Sequence, residues 1–568
     1  MLKRLAAPLS QSRPGGYNPL MLAALASLWT ATVCNWPLWQ AMAKLPEMQS
    51  ARGVLFITAF CLAVALLMLA CLALIAFRRS IKPAIAVVWV SAALGAHFMG
   101  TYGVVIDTDM ITNVLQSNVR EARDLMSLRL LGSVLVLAAL PMAVLCYLPV
   151  KRLSWPSQVW RNLVAAFLCG LAVSAIVLAS FADLSATMRN HKSLRYLINP
   201  LNSFYALGWL GLQANARPEG PPTPVGLDVH SAVRGASARP ALFVLVVGET
   251  ARADHFALNG YARATNPALS REDVLSFQNV SSCGTSTAAS LPCMFSHLGR
   301  KGFEARARDS ENLLDLAQRA GLAVLWVDNQ AGCKGVCDRV PSAAAIDAPS
   351  GASAMPAGLC SDGECFDEAL LHGLDQRLMA LPAERRTRGV LLVLHQMGSH
   401  GPAYYKRSPP NHKPFQPECA TNVLQQCERQ TLINAYDNSI AYTDQVLAGL
   451  IAWLKSKSNA FETGMLYVSD HGESLGENNL YLHGLPYALA PREQTHVPMI
   501  IWLAPQTQAT LGLNMECLRG RLGEPLSHDH LFHSVLGALQ LQAAEYQRAF
   551  DLFEPCSARR AAVETLSR

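Results

Sequence analysis

Five uninterrupted apolar runs fill the first third of the chain: residues 20–39, 54–77, 84–106, 130–150 and 163–182. Each is about 20 residues long, the length that crosses a bilayer core as a helix. One such run alone could be a buried core helix, but five in series, almost free of charge, predict membrane helices. Residues 184–213 then mix aromatic, aliphatic and basic side chains, a pattern that suits helices lying along a membrane interface. Residues 214–240 are rich in Pro and Gly without periodicity and read as a linker. From residue 241 the pattern changes. Short apolar runs ("ALFVLVVGET", "LAVLWVD", "GVLLVLHQMG", "GMLYVSDHGES", "PMIIWLA") have the continuous hydrophobicity of strands buried on both faces of a parallel sheet. Amphipathic stretches such as "SENLLDLAQRAG" and "LINAYDNSIAYTDQVLAGLIAWLKSK" separate some of them, which argues a doubly wound α/β domain. The expected organisation is a five-helix transmembrane domain over 1–183, interfacial helices and linker over 184–240, and an outer domain over 241–568.

Charge adds an orientation. Lys3, Arg4 and Arg13 precede the first run, Arg78, Arg79 and Lys82 follow the second, and Lys151, Arg152 and Arg161 follow the fourth. The positive-inside rule makes these ends cytoplasmic, so an odd number of spans puts everything after about residue 182 outside the cytosol. The first run is too long for a signal peptide and lacks a small-residue cleavage site, so a retained helix is expected. The composition, 51% hydrophobic and 15% charged, is too apolar for an ordinary soluble protein. A net charge of +6 agrees with anionic lipid partners, and nothing in the chain resembles a nucleic-acid module.

The 15 cysteines divide by compartment. Cys34, Cys61, Cys71, Cys146 and Cys169 fall in the apolar runs, where a thiol behaves as a small apolar group. The rest lie beyond residue 280, mostly as close pairs: 283/293, 333/337, 360/365 and 419/427, with Cys517 and Cys556 remaining. An even set outside the cytosol predicts disulfides between those partners. The spacings in "CKGVC" and "CSDGEC" do not repeat the CxxC pairs of a zinc ribbon.

Ligands of doubly wound sheets gather at the carboxyl ends of the strands, and polar residues stand there: Glu249, Asp328, Asn329, His395, Asp470 and His471. An acid after a strand often only caps the next helix. Glu, Asp and His from two strand ends together form a plausible set for a divalent metal, with the imidazole favouring zinc. Such a set needs a fourth ligand, and the stretch "SSCGTSTAASLPCMFS" offers Thr287 between two cysteines, with no charge nearby. A hydroxyl on a metal loses its proton more easily and becomes a nucleophile. If Thr287 also starts a helix, the amide dipoles there favour a phosphate.

"VVGET", "SSCGTSTAASLPCMFS", "SHGPAYY", "SDHGESLGE" and "YLHG" resemble the lipid A phosphoethanolamine transferases, including the mobile colistin-resistance enzymes. The resemblance spans nearly the whole chain. It implies five spans followed by a periplasmic domain of the alkaline-phosphatase/sulfatase type, in a multi-pass protein of the bacterial inner membrane. Zinc is implied at Glu249, Thr287, Asp470 and His471, with Thr287 as the nucleophile that carries phosphoethanolamine. Lys334, His395 and His483 are implied as substrate contacts, and Asn113, Ser117 and Glu121 after the third run. Ser117 stands where the colistin-resistance relatives carry threonine, so a hydroxyl is kept.

Elementary chemistry suits these roles. Lys334 can offset charge on a transferring phosphoryl group, His395 and His483 can protonate a leaving alkoxide, and Glu121 can face an ethanolamine ammonium. The implied partners are a phosphatidylethanolamine donor, a lipid A acceptor and membrane lipids, with the protein a monomer. The product carries less negative charge, which implies polymyxin resistance. A sulfatase would want Cys or Ser followed two and four positions later by Pro and Arg, and "CGTST" has neither. A phosphoglycerol or other headgroup transferase acting on an envelope glycan shares the same logic and stays as the alternative. "SHDHLFHSVLG" places His528, His530 and His533 at metal-like spacing, yet Ser527 or Asp529 before an apolar run also reads as a helix start.

Overall fold

A computed structural model describes residues 16–117, 119–216, 220–231 and 239–558. Lys3, Arg4 and Arg13 lie outside these, as do parts of the linker. The chain divides into two compact units, one holding residues up to Thr108 together with Met126–Trp209, the other holding Asp109–Leu125 and everything from Leu210.

In the first unit, Ala51–Leu74, Ile81–Tyr102, Leu128–Tyr147 and Trp155–Ala179 are helices long and apolar enough to cross a membrane. The first apolar run is not one straight helix. It breaks into Pro19–Thr32 and Trp36–Ala43, bent by 44°. Pro37 sits in the first turn of the second segment, where its missing N–H costs nothing, and Asn35 takes the cap position. The number of spans is therefore four, or five if the bent pair makes one crossing. Leu22, Ala26, Met68, Ile85 and Trp89 form the centre of this unit's largest packed cluster.

The second unit is built on an eight-stranded sheet. Its strands in chain order are β1 (Ala241–Gly248), β2 (Leu275–Ser281), β3 (Ala323–Asp328), β4 (Ser342–Ala344), β5 (Val390–His395), β6 (Glu462–Ser469), β7 (His496–Leu503) and β8 (Leu526–Ser527). Across the sheet they run β8-β2-β7-β6-β1-β5-β3-β4. Strand β1 is buried along its whole length between β6 and β5, both parallel to it. Its side chains alternate between two cores. Phe243, Leu245 and Val247 enter one cluster, while Leu242, Val244 and Val246 enter the other, so apolar material covers both faces. The helix Arg429–Lys457 supplies one cover through Leu432, Ala435, Tyr436, Ile440, Leu447 and Ile451. Leu313–Arg319 serves the opposite face, started by a reciprocal cap in which Asn312 accepts from Leu314 N and Asp315 accepts from Asn312 N.

The sheet is mixed rather than fully parallel. Strand β7 is antiparallel to both β6 and β2. Continuous hydrophobicity reports burial on two faces but carries no direction, and between β6 and β7 no long crossover helix forms, only a two-stranded ribbon and short turns.

All ten cysteines beyond residue 280 are paired, as Cys283–Cys293, Cys333–Cys337, Cys360–Cys365, Cys419–Cys427 and Cys517–Cys556. The five in the first unit are free. Loop-closure entropy assigns about 4 kcal/mol to Cys517–Cys556, 39 positions apart, and about 2 kcal/mol to Cys333–Cys337, 4 apart. Replacing both members of the wider pair with serine should therefore lower the thermal unfolding midpoint more than the same change at the narrower one. The reverse ranking in a thermal melt would contradict this.

Candidate active site

Strands β6, β1, β5 and β3 are adjacent and parallel, so their carboxyl ends open on one rim. Glu249 follows β1, Asp470 and His471 follow β6, His395 closes β5 and Asp328 closes β3. Glu249, Asp470 and His471 are fully buried, and one ligand atom from each lies within 4.8 Å of the others. His471 Nε2 stands 3.3 Å from Glu249 Oε1 and 3.4 Å from Asp470 Oδ2. The other ring nitrogen, Nδ1, donates to Gly472 O at 2.9 Å, which fixes the tautomer and turns Nε2 toward the carboxylates. Asp470 Oδ1 accepts from Thr250 N and His471 N, whereas its buried Oδ2 has no hydrogen-bond partner among the described residues. Gly398 packs on Glu249 in a left-handed conformation, φ 53°, and a Cβ there would meet Glu249 O at 2.6 Å.

Thr287 arrives on the loop after β2, three strands from β1, as the first residue of the helix Thr287–Met294, with Ser286 at the cap position. Its Oγ1 lies 3.0 and 3.2 Å from the two Glu249 oxygens and 3.5 Å from His471 Nε2. The Cys283–Cys293 bridge ties the loop before Thr287 to the end of this helix. A second brace comes from His528, whose Nε2 donates to Ser469 O while Nδ1 accepts from Cys283 N. Burial holds the His528 pKa down at about 3, so this imidazole is a neutral structural link between β6 and the Thr287 loop. Asp529 opens the helix Asp529–Leu539 directly after it.

The electrostatics favour a cation at the centre. Burial opposes charge on Glu249, yet hydrogen bonding and attraction from His471 hold its carboxyl far below the ordinary range. Burial and then the Glu249 charge push Asp470 upward. Against burial, Asp470 and Glu249 lift His471 to about 10, so in the metal-free protein the imidazole carries the positive charge between the carboxylates. Two carboxylates, an imidazole nitrogen and a hydroxyl, with one buried carboxylate oxygen that has no hydrogen-bond partner among the described residues, form a donor set that fits zinc. Cys333, Cys337 and Asp338 also gather, but both of those thiols are consumed in a disulfide.

Two histidines flank the centre, each oriented by a carboxylate. His395 Nδ1 bonds Asp328 Oδ1 at 2.7 Å and leaves a buried Nε2 without a partner among the described residues. Burial disfavours its charge, but Asp328 raises its pKa above the ordinary value. His483 Nδ1 bonds Glu473 Oε2 at 2.7 Å, and its ring lies 4.2 Å from that of His471. Lys334 adopts φ 49°, and its Nζ donates to Ala331 O and Gln116 O. Ser117 Oγ donates to Asn113 O at 2.8 Å. The charge of Glu121 reaches the His400 imidazole.

Some groups in the site were not picked out from the sequence. Gln330 donates to Glu249 Oε2 at 3.0 Å, Thr250 donates to Glu249 Oε1, and Tyr404 donates to Glu473. His400 has its ring 6.1 Å from that of His483, and burial lowers its pKa. His400 and Glu473 lie inside the motifs "SHGPAYY" and "SDHGESLGE", so that signal was present. Gln330 had none beyond its place two residues after a strand end.

The chain is similar to known proteins along most of its length. The sequence profile of the sulfatases matches residues 241–541, and that of phosphoethanolamine transferase EptA/EptB matches residues 64–213. The chain is 41% identical to phosphoethanolamine transferase EptA of Salmonella typhimurium, covering 82% of this chain and 83% of the relative. It is 38% identical to phosphatidylethanolamine transferase Mcr-1 of Escherichia coli, covering 87% and 91%. The integral membrane lipooligosaccharide phosphoethanolamine transferase A of Neisseria meningitidis superposes with a TM-score of 0.88 at 34% identity, over 94% of this chain and 98% of that one. Apolar helices followed by a periplasmic-type domain place the protein in the inner membrane as a multi-pass chain. On these grounds the chain belongs to the phosphoethanolamine transferase family, within the alkaline-phosphatase/sulfatase superfamily.

Proposed function

We propose that this transferase moves phosphoethanolamine from phosphatidylethanolamine to a phosphate of lipid A through a covalent intermediate on Thr287. The observation that carries the reading is the Thr287 hydroxyl at a helix start, 3.0 Å from Glu249 and beside the Asp470–His471 pair. The relatives support the headgroup, since one is named for phosphatidylethanolamine and another for a lipooligosaccharide. Glu249, Thr287, Asp470 and His471 would hold zinc, which when bound supplies positive charge that eases ionisation of the hydroxyl and offsets charge on the phosphoryl group.

In the first half-reaction the Thr287 hydroxyl gives up its proton to solvent, Oγ1 forms a bond to the donor phosphorus, and the bond from phosphorus to the diacylglycerol oxygen breaks. The departing alkoxide needs a proton, and His395 or His483 delivers it from a ring held by its carboxylate. Lys334 lies along the loop from Gln330 and offsets charge on the phosphoryl oxygens, while Asn113, Ser117 and Glu121 contact the donor, with Glu121 facing the ammonium. In the second half-reaction a lipid A phosphate oxygen attacks the same phosphorus and Thr287 leaves with a proton. The product gains an ammonium, loses net negative charge and binds cationic polymyxins less well.

Two half-reactions through one covalent species imply ping-pong kinetics. Incubating the purified protein with donor alone should add one phosphoethanolamine mass to the peptide containing Thr287. An unmodified peptide, or modification by phosphatidylglycerol in preference to phosphatidylethanolamine, would overturn the assignment.

A further inference from the structure

Residues 109–125, which lie in sequence between two apolar helices, cluster with the catalytic unit, and contacts to it include three near the site. Met110 packs against Gly484, directly after His483, so closely that a Cβ on that glycine would meet Met110 Cε at 2.8 Å. Lys334 Nζ donates to Gln116 O, the last residue of the helix Thr108–Gln116. The third contact is the most elaborate. Asp124 ends the helix Val119–Asp124, and its side chain is only 3% exposed. A carboxylate at a helix C-terminus faces the negative end of the dipole, and a buried one without partners is costly.

Neighbouring cations resolve both problems. Arg407 Nη2 holds Asp124 Oδ2, Lys406 Nζ holds Asp124 Oδ1, and Asn422 Nδ2 donates to the Asp124 carbonyl at 2.8 Å. Arg407 is itself buried, and its Nε donates at 2.8 Å to the carbonyl of His400, the imidazole on which the Glu121 charge acts. Glu121 precedes Asp124 by three positions and so shares its helix face. One guanidinium therefore registers the loop against the site.

We propose that Asp124 is a positioning residue whose pairing with Arg407 and Lys406 latches segment 109–125, so that Asn113, Ser117 and Glu121 form one wall of the donor site. This rests on the donor contacts proposed above. Asp124→Asn in the full-length protein in detergent keeps the shape and removes the charge. It should raise KM for phosphatidylethanolamine about tenfold, as expected for a lost charged hydrogen bond, with kcat within about twofold of wild type. Zinc content should not change, hydrogen exchange of amides in 109–125 should accelerate, and Asp124→Glu should recover most of the affinity.

Wild-type KM and wild-type exchange in Asp124→Asn would overturn the latch. So would loss of kcat together with zinc while exchange stayed slow. If Asp124→Asn does not fold, Lys406→Ala, which removes the exposed cation, must show the same two changes at smaller amplitude, and wild-type values there overturn it equally. A wild-type protein that did not use phosphatidylethanolamine would defeat the proposed function instead, and loop exchange would still judge the latch.

Discussion

Thr287→Ala should abolish transfer of the headgroup and cleavage of the donor alike. Losing the nucleophile of a covalent mechanism costs about 10⁴-fold or more in kcat, because no neighbour in the same geometry replaces it. Among the described residues, Thr287 is the hydroxyl that bonds Glu249 while also reaching His471. Thr250 bonds Glu249 as well, but it is not the first residue of a helix; the short helix Ala253–His255 begins three residues later. Alanine fits the backbone at the first position of Thr287–Met294, so the fold should lose no more than about 1 kcal/mol. An unfolding midpoint near wild type together with absent diacylglycerol release isolates the chemical defect. Thr287→Ser should keep measurable activity because the attacking oxygen survives. Donor cleavage by Thr287→Ala at the wild-type rate would place the nucleophile elsewhere.

The second large effect concerns the metal. Asp470→Ala or His471→Ala should remove bound zinc and activity together, since each deletes one of three buried donors. The two variants should differ in stability. Without His471, Glu249 and Asp470 face each other in a buried site with their cation gone, a loss of about 3–5 kcal/mol for an ion cluster left uncompensated. Without Asp470, the His471–Glu249 pair remains at 3.3 Å and the cost is smaller. Metal analysis and thermal melts of the purified variants check both statements. Full zinc occupancy in both would show that the ligands are different residues.

Much of this site was legible in the sequence because strand ends are local signals. "LVVG" before Glu249 and "LYVS" before Asp470 announce where buried backbone stops, and chemistry-bearing residues follow at once. Four of the disulfides were legible from short loops, and Cys517–Cys556 only as the pair that remained, 39 positions apart. What escaped was long-range. Strand β2, "LSFQNVS", carries exposed Gln278 and Asn279 within an otherwise buried strand, so its apolar run is too short to stand out. The direction of β7 depends on which path the chain takes back to the sheet, and hydrophobicity is silent on that. The bend near Asn35 hides inside a run that is apolar throughout. Asp124 read as one charge in the mixed stretch "REARD"; its partners Lys406 and Arg407 are about 280 positions away, and only the fold brings them together.

The antiparallel course of β7 sets a measure for the loop that delivers Thr287. Because β7 runs against both neighbours, β2 and β6 keep the same heading, and the chain leaves β2 on the same rim as Glu249. Three strand spacings separate β2 from β1 in the sheet order, about 14 Å of lateral distance. From Ser281 to Thr287 the backbone takes six steps, which reach at most about 20 Å when extended. Ser282 Oγ donates to Gly284 O, and this local turn takes up part of the difference. The stretch 282–286 is thus a tether with little slack, and its length as much as its chemistry confines the hydroxyl to the rim.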